Sequence, residues 1–219
     1  RVILYTDKPL QGELAKLPVN WTEKLLHWTP GRLWTQVRLS WEMFWHSPDV
    51  LFIPAHVFSL IHPKKTVMTV HDIAAVRFPE SYNWFEKWYS VWSAKYAVRK
   101  LWQVIVPSEF VKKEILEFFS LPDHGKIKVI PHGFDRNFLD ATNILDHSQK
   151  ENKLKKYNIT KPFIVSVGRL EEKKNTVGII EAFNNLQNSN LKLVLIGKPG
   201  YGYEKVQAAI EKSPNQENI

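Results

Sequence analysis

The chain contains no cysteine. Disulfide scaffolds, thiolate metal sites and cysteine nucleophiles are thereby excluded, and the composition suits a reducing compartment. It also lacks any uninterrupted apolar run near the roughly 20 residues that a membrane-spanning helix needs. Its opening residues, RVILYTDKPL, lack the long apolar segment of a secretion signal, so the chain reads as soluble and cytoplasmic. Acid is the scarcer sign, with 22 Asp and Glu against 30 Lys and Arg, a formal charge of +8. Such a balance points to an anionic partner: nucleic acid, an acidic bilayer surface or a phosphorylated small molecule. No helix-turn-helix, zinc-finger or ribonucleoprotein pattern accompanies the charge, so nucleic acid is not expected. With 44% hydrophobic residues in 219, the chain can bury one sizeable core or two modest ones, which argues against disorder. It begins at Arg1 rather than Met and stops in mid-pattern, and is expected to be a piece of a longer protein.

What is present alternates. Short β-branched runs at 2–5, 50–53, 66–70, 104–106, 127–130, 163–167 and 191–196 are separated by longer amphipathic stretches. Parallel strands need crossovers of a dozen or more residues, usually helical, so the spacing predicts an α/β protein with parallel sheets. Runs apolar at every residue, such as VLFI, predict strands covered on both faces. Helices are expected at about 33–46, 83–100, 108–119, 176–187 and 203–212, the third capped by Ser108. Between Asp135 and Thr160 the pattern decays into a polar, lysine-rich stretch. The expected organisation is an N-terminal domain over 1–137, a linker over 138–158 and a partial C-terminal domain over 159–219.

Two places gather chemistry. In FIVSVGRLEEKKNTVGIIEAF a strand ends at Gly168, Arg169 follows, Lys174 comes five residues later, and Asn175 or Thr176 can cap the next helix. A guanidinium, an ammonium and open backbone N–H groups at the carboxyl end of a strand suit a diphosphate. The bland alternative is two solvated cations beside Glu171 and Glu172. In TVMTVHD a strand delivers His71 and Asp72 to its carboxyl end. A neutral imidazole can hydrogen-bond a sugar hydroxyl, and Asp72 can hold the tautomer or cap the next segment; a structural turn is the alternative. The glycines of LIGKPGYG, at 197, 200 and 202, run GxxGxG rather than GxGxxG and read as a flexible loop. Nine Trp is a high count. Trp34, Trp41 and Trp45 share roughly one helical face, and Trp84, Trp88 and Trp92 follow at i+4 steps, so core packing is expected. Docking on an anionic bilayer is the other reading of these aromatics.

Taken in order, SPDVLFIPAHV, TVHDIAAVRFPESY, VPSEFVKKEI, IKVIPHGFD, VSVGRLEEKKNTVGIIEAF and LVLIGKPGYGYE resemble the retaining glycosyltransferases of family 4. The resemblance implies the GT-B fold, two Rossmann-like parallel-sheet domains facing a cleft, with the second truncated here. It also implies transfer of a hexosyl unit from a nucleotide diphosphate sugar, UDP- or GDP-linked, to a hydroxyl of a sugar or lipid-linked acceptor, with neither cofactor nor metal. By this resemblance Arg169 and Lys174 hold the donor diphosphate, with Gly168 beside them. His71 is the catalytic histidine next to the transferred sugar, and Asp72 and Gly133 contact substrate. IPHGFD matches a P-N-G-V-D stretch, with His132 where Asn is usual and Phe134 where Val is usual, and Asn175 stands where Gly is more common. Two features of the resembled pattern are missing: a glycine-rich loop after a first strand, and a later Glu-x7-Glu pair. Glu109 and Glu117 have that spacing but fall on a helix of the other domain. A non-catalytic nucleotide-sugar-binding module and a sugar-nucleotide epimerase are the competing functions.

Overall fold

The computed structural model describes residues 1–29, 33–55, 57–134, 136, 146–159, 162–186 and 190–219. The strands are β1 (Val2–Thr6), β2 (Trp21–Leu25), β3 (Leu51–Ile53), β4 (Thr66–Thr69), β5 (Gln103–Val106), β6 (Ile127–Val129), β7 (Phe163–Val167) and β8 (Lys192–Ile196). The helices are α1 (Ser40–Trp45), α2 (Ala74–Arg77), α3 (Trp84–Lys100), α4 (Glu109–Phe118), α5 (His147–Lys156), α6 (Thr176–Asn184) and α7 (Tyr203–Glu211). Every strand pairing among the described residues is parallel, in sheets ordered β1-β2, β3-β4-β5-β6 and β7-β8. The alternating apolar runs therefore form the parallel α/β architecture that their spacing requires. The chain divides into two compact units, one made of Arg1–Arg77 with Phe85–His132 and the other of Phe78–Trp84 with Gly133–Ile219.

In the first unit the core lies over β4 and β5, where Met68, Val70, Val104 and Val106 are fully buried. Ala94, Ala97 and Val98 of α3 and Val111 and Ile115 of α4 close over them. Ser108 caps α4 as expected, its hydroxyl accepting from the Val111 N–H at 3.3 Å. Glu109 and Glu117 both lie on this helix, exposed. β3 departs from expectation: Phe52 is exposed while Leu51 and Ile53 are buried, because β3 is the sheet edge and only one of its faces is covered.

Three elements went unforeseen. β2, WTEKL, carries two charges in five residues and no alternation; it is held by its pairing with β1 and by Glu23, which accepts from Thr6 Oγ1 at 2.6 Å and from the Leu10 N–H at 3.0 Å. α2 is a single turn. α5 forms within the stretch expected as a linker, of which residues 138–145 lie outside the described set.

Core packing explains only some of the tryptophans. Trp34 packs on the core and donates from Nε1 to the Leu26 carbonyl at 2.7 Å. Trp92 stacks on Phe58, with ring centroids 5.3 Å apart. Trp41 and Trp45 are 63% and 61% exposed, and Trp84 and Trp88 are 79% and 54% exposed. Helical spacing sets Trp41 beside Trp45 and Trp88 beside Trp92, but Trp34 does not share the exposed face of Trp41 and Trp45, and spacing does not reveal which face a neighbour covers.

The second unit is smaller. α6 and α7 pack Ile180, Phe183 and Val206 against Leu193 of β8. No helix among the described residues is long and apolar enough to cross a membrane.

Glu42 of α1 is buried in the first unit, where an unpaired carboxylate would be costly. Lys24 bonds to it, Arg38 Nη1 lies 3.5 Å away, and His46 Nδ1 lies 3.2 Å away. Burial pushes the Glu42 carboxyl up, but the bond and charge of Lys24, with His46 and Arg38, outweigh it and hold the group below its ordinary value. The neighbouring Tyr5 hydroxyl is pushed up by burial and by the Glu42 charge, against the pull of Lys24. A folded-state value below the unfolded one gives stability that is present above the ordinary carboxylate range and lost as pH falls through the lowered value. Acid titration of unfolding should show this loss in the wild type and a shallower slope in Glu42→Gln.

Candidate functional site

In the second unit β7 and β8 are in register along their whole length, so their carboxyl ends finish side by side. Gly168 and Arg169 follow β7, and Gly197 follows β8. A Cβ on Gly197 would lie 1.7 Å from the Gly168 carbonyl oxygen, so only glycine permits this approach. The two loops are then laced together by Leu170 N–H to the Lys198 carbonyl, Gly200 N–H to the Leu170 carbonyl, and Glu172 N–H to the Tyr201 carbonyl, at 3.0 Å each. The GxxGxG loop is thus pinned to the GRLEE loop, not the free segment expected from its glycines.

This lacing fixes the charges. Glu171 is 4% exposed, with Arg169 Nε 3.5 Å from one carboxylate oxygen and Lys173 Nζ 3.5 Å from the other. Lys173 also lies over the Tyr82 ring, 5.4 Å from its centroid. Glu172 takes Lys205 Nζ at 2.9 Å. Both nearby acids are therefore engaged, Glu171 by Arg169 and Lys173 and Glu172 by Lys205. Among the described residues Lys174 forms no ion pair and is exposed, and the Arg169 side chain is 63% exposed. The bland alternative, two solvated cations beside Glu171 and Glu172, describes the exposure of Lys174 and the pairing of the largely exposed Arg169 with Glu171.

Lys174 ends a 3-10 turn, Glu172–Lys174, and Asn175 adopts the left-handed conformation at φ 50°, ψ 41°. Glycine takes this conformation most readily and asparagine next, which is why Asn is tolerated here. The Asn175 side chain makes no capping bond; it lies over the first turn of α6, where a Cβ on Gly178 would come within 2.6 Å of it. The expected side-chain cap is therefore absent at Asn175. The first-turn N–H groups of α6 have no intrahelical partner and can meet an anion.

In the first unit, β3, β4 and β6 bring three loops together at one sheet edge. His71, just past β4, places Nε2 2.9 Å from the Pro54 carbonyl oxygen and Nδ1 3.4 Å from His132 Nε2. The two rings tilt by 31° with centroids 5.2 Å apart. Asp72 caps the next segment: its carboxylate accepts from the Ala74 N–H at 2.9 Å, at the start of α2. His71 and Asp72 thus lie in the first unit, and Gly133, Gly168, Arg169 and Lys174 lie in the second. Gly133 is exposed, with no described atom within 4 Å of where its Cβ would stand.

Sequence reasoning placed Glu171 and Glu172 beside Arg169 without telling which of them pairs with it, and missed Pro54 and His132 as partners of His71. A backbone carbonyl has no side-chain signal, whereas His132 stood in plain view at a position usually occupied by Asn. Among the described residues no three His, Asp or Glu side chains stand close enough to hold a metal ion. A cavity of about 580 Å³ lies beside β8, bounded by Tyr157, Leu193, Leu195 and Ile219; neither Arg169 nor Lys174 lines it. Gly197→Ala should lower the thermal midpoint by forcing the two loops apart, whereas Gly133→Ala should leave it nearly unchanged; differential scanning fluorimetry compares them.

Residues 2–138 match the family model described as Glycosyltransferase Family 4, and residues 149–219 match the one described as Glycosyl transferases group 1. In fold the chain is similar to a crystal structure of a glycosyltransferase from Rickettsia africae ESF-5, with 18% identity and a TM-score of 0.55. The match covers 90% of this chain and 53% of that one, so the chain spans about half the length of the solved structure. At that identity the likeness speaks to the fold alone, a GT-B type α/β architecture. No curated protein matches the chain. The first family model takes in more than half of the sequence, in agreement with the ordered motifs from SPDVLFIPAHV onward, and the chain belongs to glycosyltransferase family 4.

Proposed function

We propose that the protein containing this chain transfers a hexosyl unit, mannosyl or glucosyl, from a UDP- or GDP-sugar to an acceptor hydroxyl with retention of anomeric configuration. The observation that carries the reading is that Arg169 and Lys174 are exposed in the loop that leads into the uncapped start of α6, with Glu172 taken by Lys205 and Glu171 shared between Arg169 and Lys173. Negative charge grows on the departing diphosphate as the glycosidic bond breaks. In this reading the Arg169 guanidinium, the Lys174 ammonium and the N–H groups of α6 stabilise that charge, which for one such donor is worth on the order of 2.7–4 kcal/mol. Glu171 holds Arg169 from behind and leaves much of its guanidinium open. His71 does not act as a nucleophile, since retention by this family implies attack from the face of departure. A binding module would hold the donor without turnover, and an epimerase would convert it with no acceptor present. Arg169→Ala and Lys174→Ala in the complete protein should each cut sugar transfer by about 100-fold or more; Lys174→Ala should shift the thermal midpoint little, whereas Arg169→Ala should also lower it by taking a partner from the buried Glu171. Wild-type turnover in both variants would refute the assignment.

The exposed aromatics of α1 favour a second element of the reading, a peripheral contact with the inner face of a membrane and a lipid-linked acceptor. Trp41, Phe44 and Trp45 are each more than 60% exposed and pack edge to face on one another, with ring centroids 5.0 and 6.1 Å apart. Amphipathic rings of this kind suit the headgroup region, and a net basic chain suits an anionic leaflet. Flotation with phosphatidylglycerol vesicles should carry the protein, and the triple change Trp41→Ser, Phe44→Ser, Trp45→Ser should leave it in the dense fraction.

A further inference from the structure

The contact between His71 and His132 has a direction set by the donors and lone pairs of a neutral imidazole. Each ring offers one N–H donor and one lone pair. The Pro54 carbonyl only accepts, so His71 Nε2, 2.9 Å from it, carries the proton and Nδ1 carries the lone pair. His132 Nε2, 3.4 Å from that Nδ1, is then the donor. Both ring nitrogens of His71 are thereby committed. His132 retains a lone pair at its own Nδ1, which no described residue bonds, and its side chain is exposed.

We propose that His132, not His71, presents the imidazole acceptor to a hydroxyl of the sugar ligand, and that His71 is the positioning residue that holds His132 by accepting its Nε2–H. The hydroxyl donates to His132 Nδ1. The proposal rests on the glycosyl-transfer reading above for the identity of the ligand, and on the geometry alone for the histidine pair. It accounts for His at a place where the resembled pattern has Asn. An asparagine amide carries the same complement, an N–H to give to His71 and an oxygen lone pair to offer a hydroxyl.

The test uses 15N-histidine-labelled full-length protein in three forms: wild type, His132→Asn and His132→Leu. Without any substrate, the His71 Nδ1 resonance should be the same in wild type and His132→Asn and displaced in His132→Leu, where its donor is gone. An unmoved resonance in His132→Leu overturns the pair. In the transfer assay, kcat/KM should fall about tenfold in His132→Leu and stay within about threefold of wild type in His132→Asn, the size expected for one hydrogen bond. A displaced resonance with both variants equally active, or equally impaired, overturns the contact with the sugar. An intact pair in a wild-type protein that transfers no sugar defeats the glycosyl-transfer reading, and with it the ligand half of this proposal.

Discussion

Parallel pairing is the constraint on which both candidate sites depend. Strands that run the same way finish at the same sheet edge, so the residues after each of them are delivered to one place. Pro54 follows β3, His71 follows β4 and His132 follows β6, and these residues, far apart in sequence, meet within hydrogen-bonding range. Arg169 follows β7, and the loop after β8 lies against it. In an antiparallel sheet the neighbours β3 and β4 would finish at opposite ends, as would β7 and β8, so Pro54 would not reach His71 and the loop after β8 would not lie against Arg169.

Within each unit a buried carboxylate organises the cations around it. Glu171 is removed from water and is tolerated because Arg169 and Lys173 stand beside it, which also sets where Arg169 can reach. Glu42 does the same for Lys24 and Arg38, with the His46 ring beside them, tying α1 to β2. The two differ in consequence. The cluster at Glu42 uses its cations internally, whereas the cluster at Glu171 leaves Lys174 uncommitted, beside a helix start that lacks a side-chain cap. A site for an anion needs this surplus of positive potential, and net charge alone does not predict where it falls.

Much of the architecture was legible because the signals were local. The β-branched runs of β4, β5, β7 and β8, the cap at Ser108 and the helices from Glu109, Thr176 and Tyr203 each announce themselves within a few residues. β2 was not legible, since WTEKL owes its conformation to β1 and to the bonds made by Glu23. The tryptophans show the same limit: their i+4 spacing predicted a shared face, and whether Trp88 or Trp92 sits under a neighbour depended on Phe58, which is remote in sequence.

The sequence by itself determined the parallel α/β class, the ordered family motifs and the residue types at the strand ends, because hydrophobic period and side-chain chemistry are properties of neighbouring residues. Only the tertiary structure decided that Asp72 caps α2, that Pro54 sets the tautomer of His71, that His132 is its partner, and that Glu171 stands behind Arg169. Those contacts join residues brought together by sheet register and by a glycine close approach. A hydrogen bond depends on distance in space, which the order of residues along the chain does not encode locally.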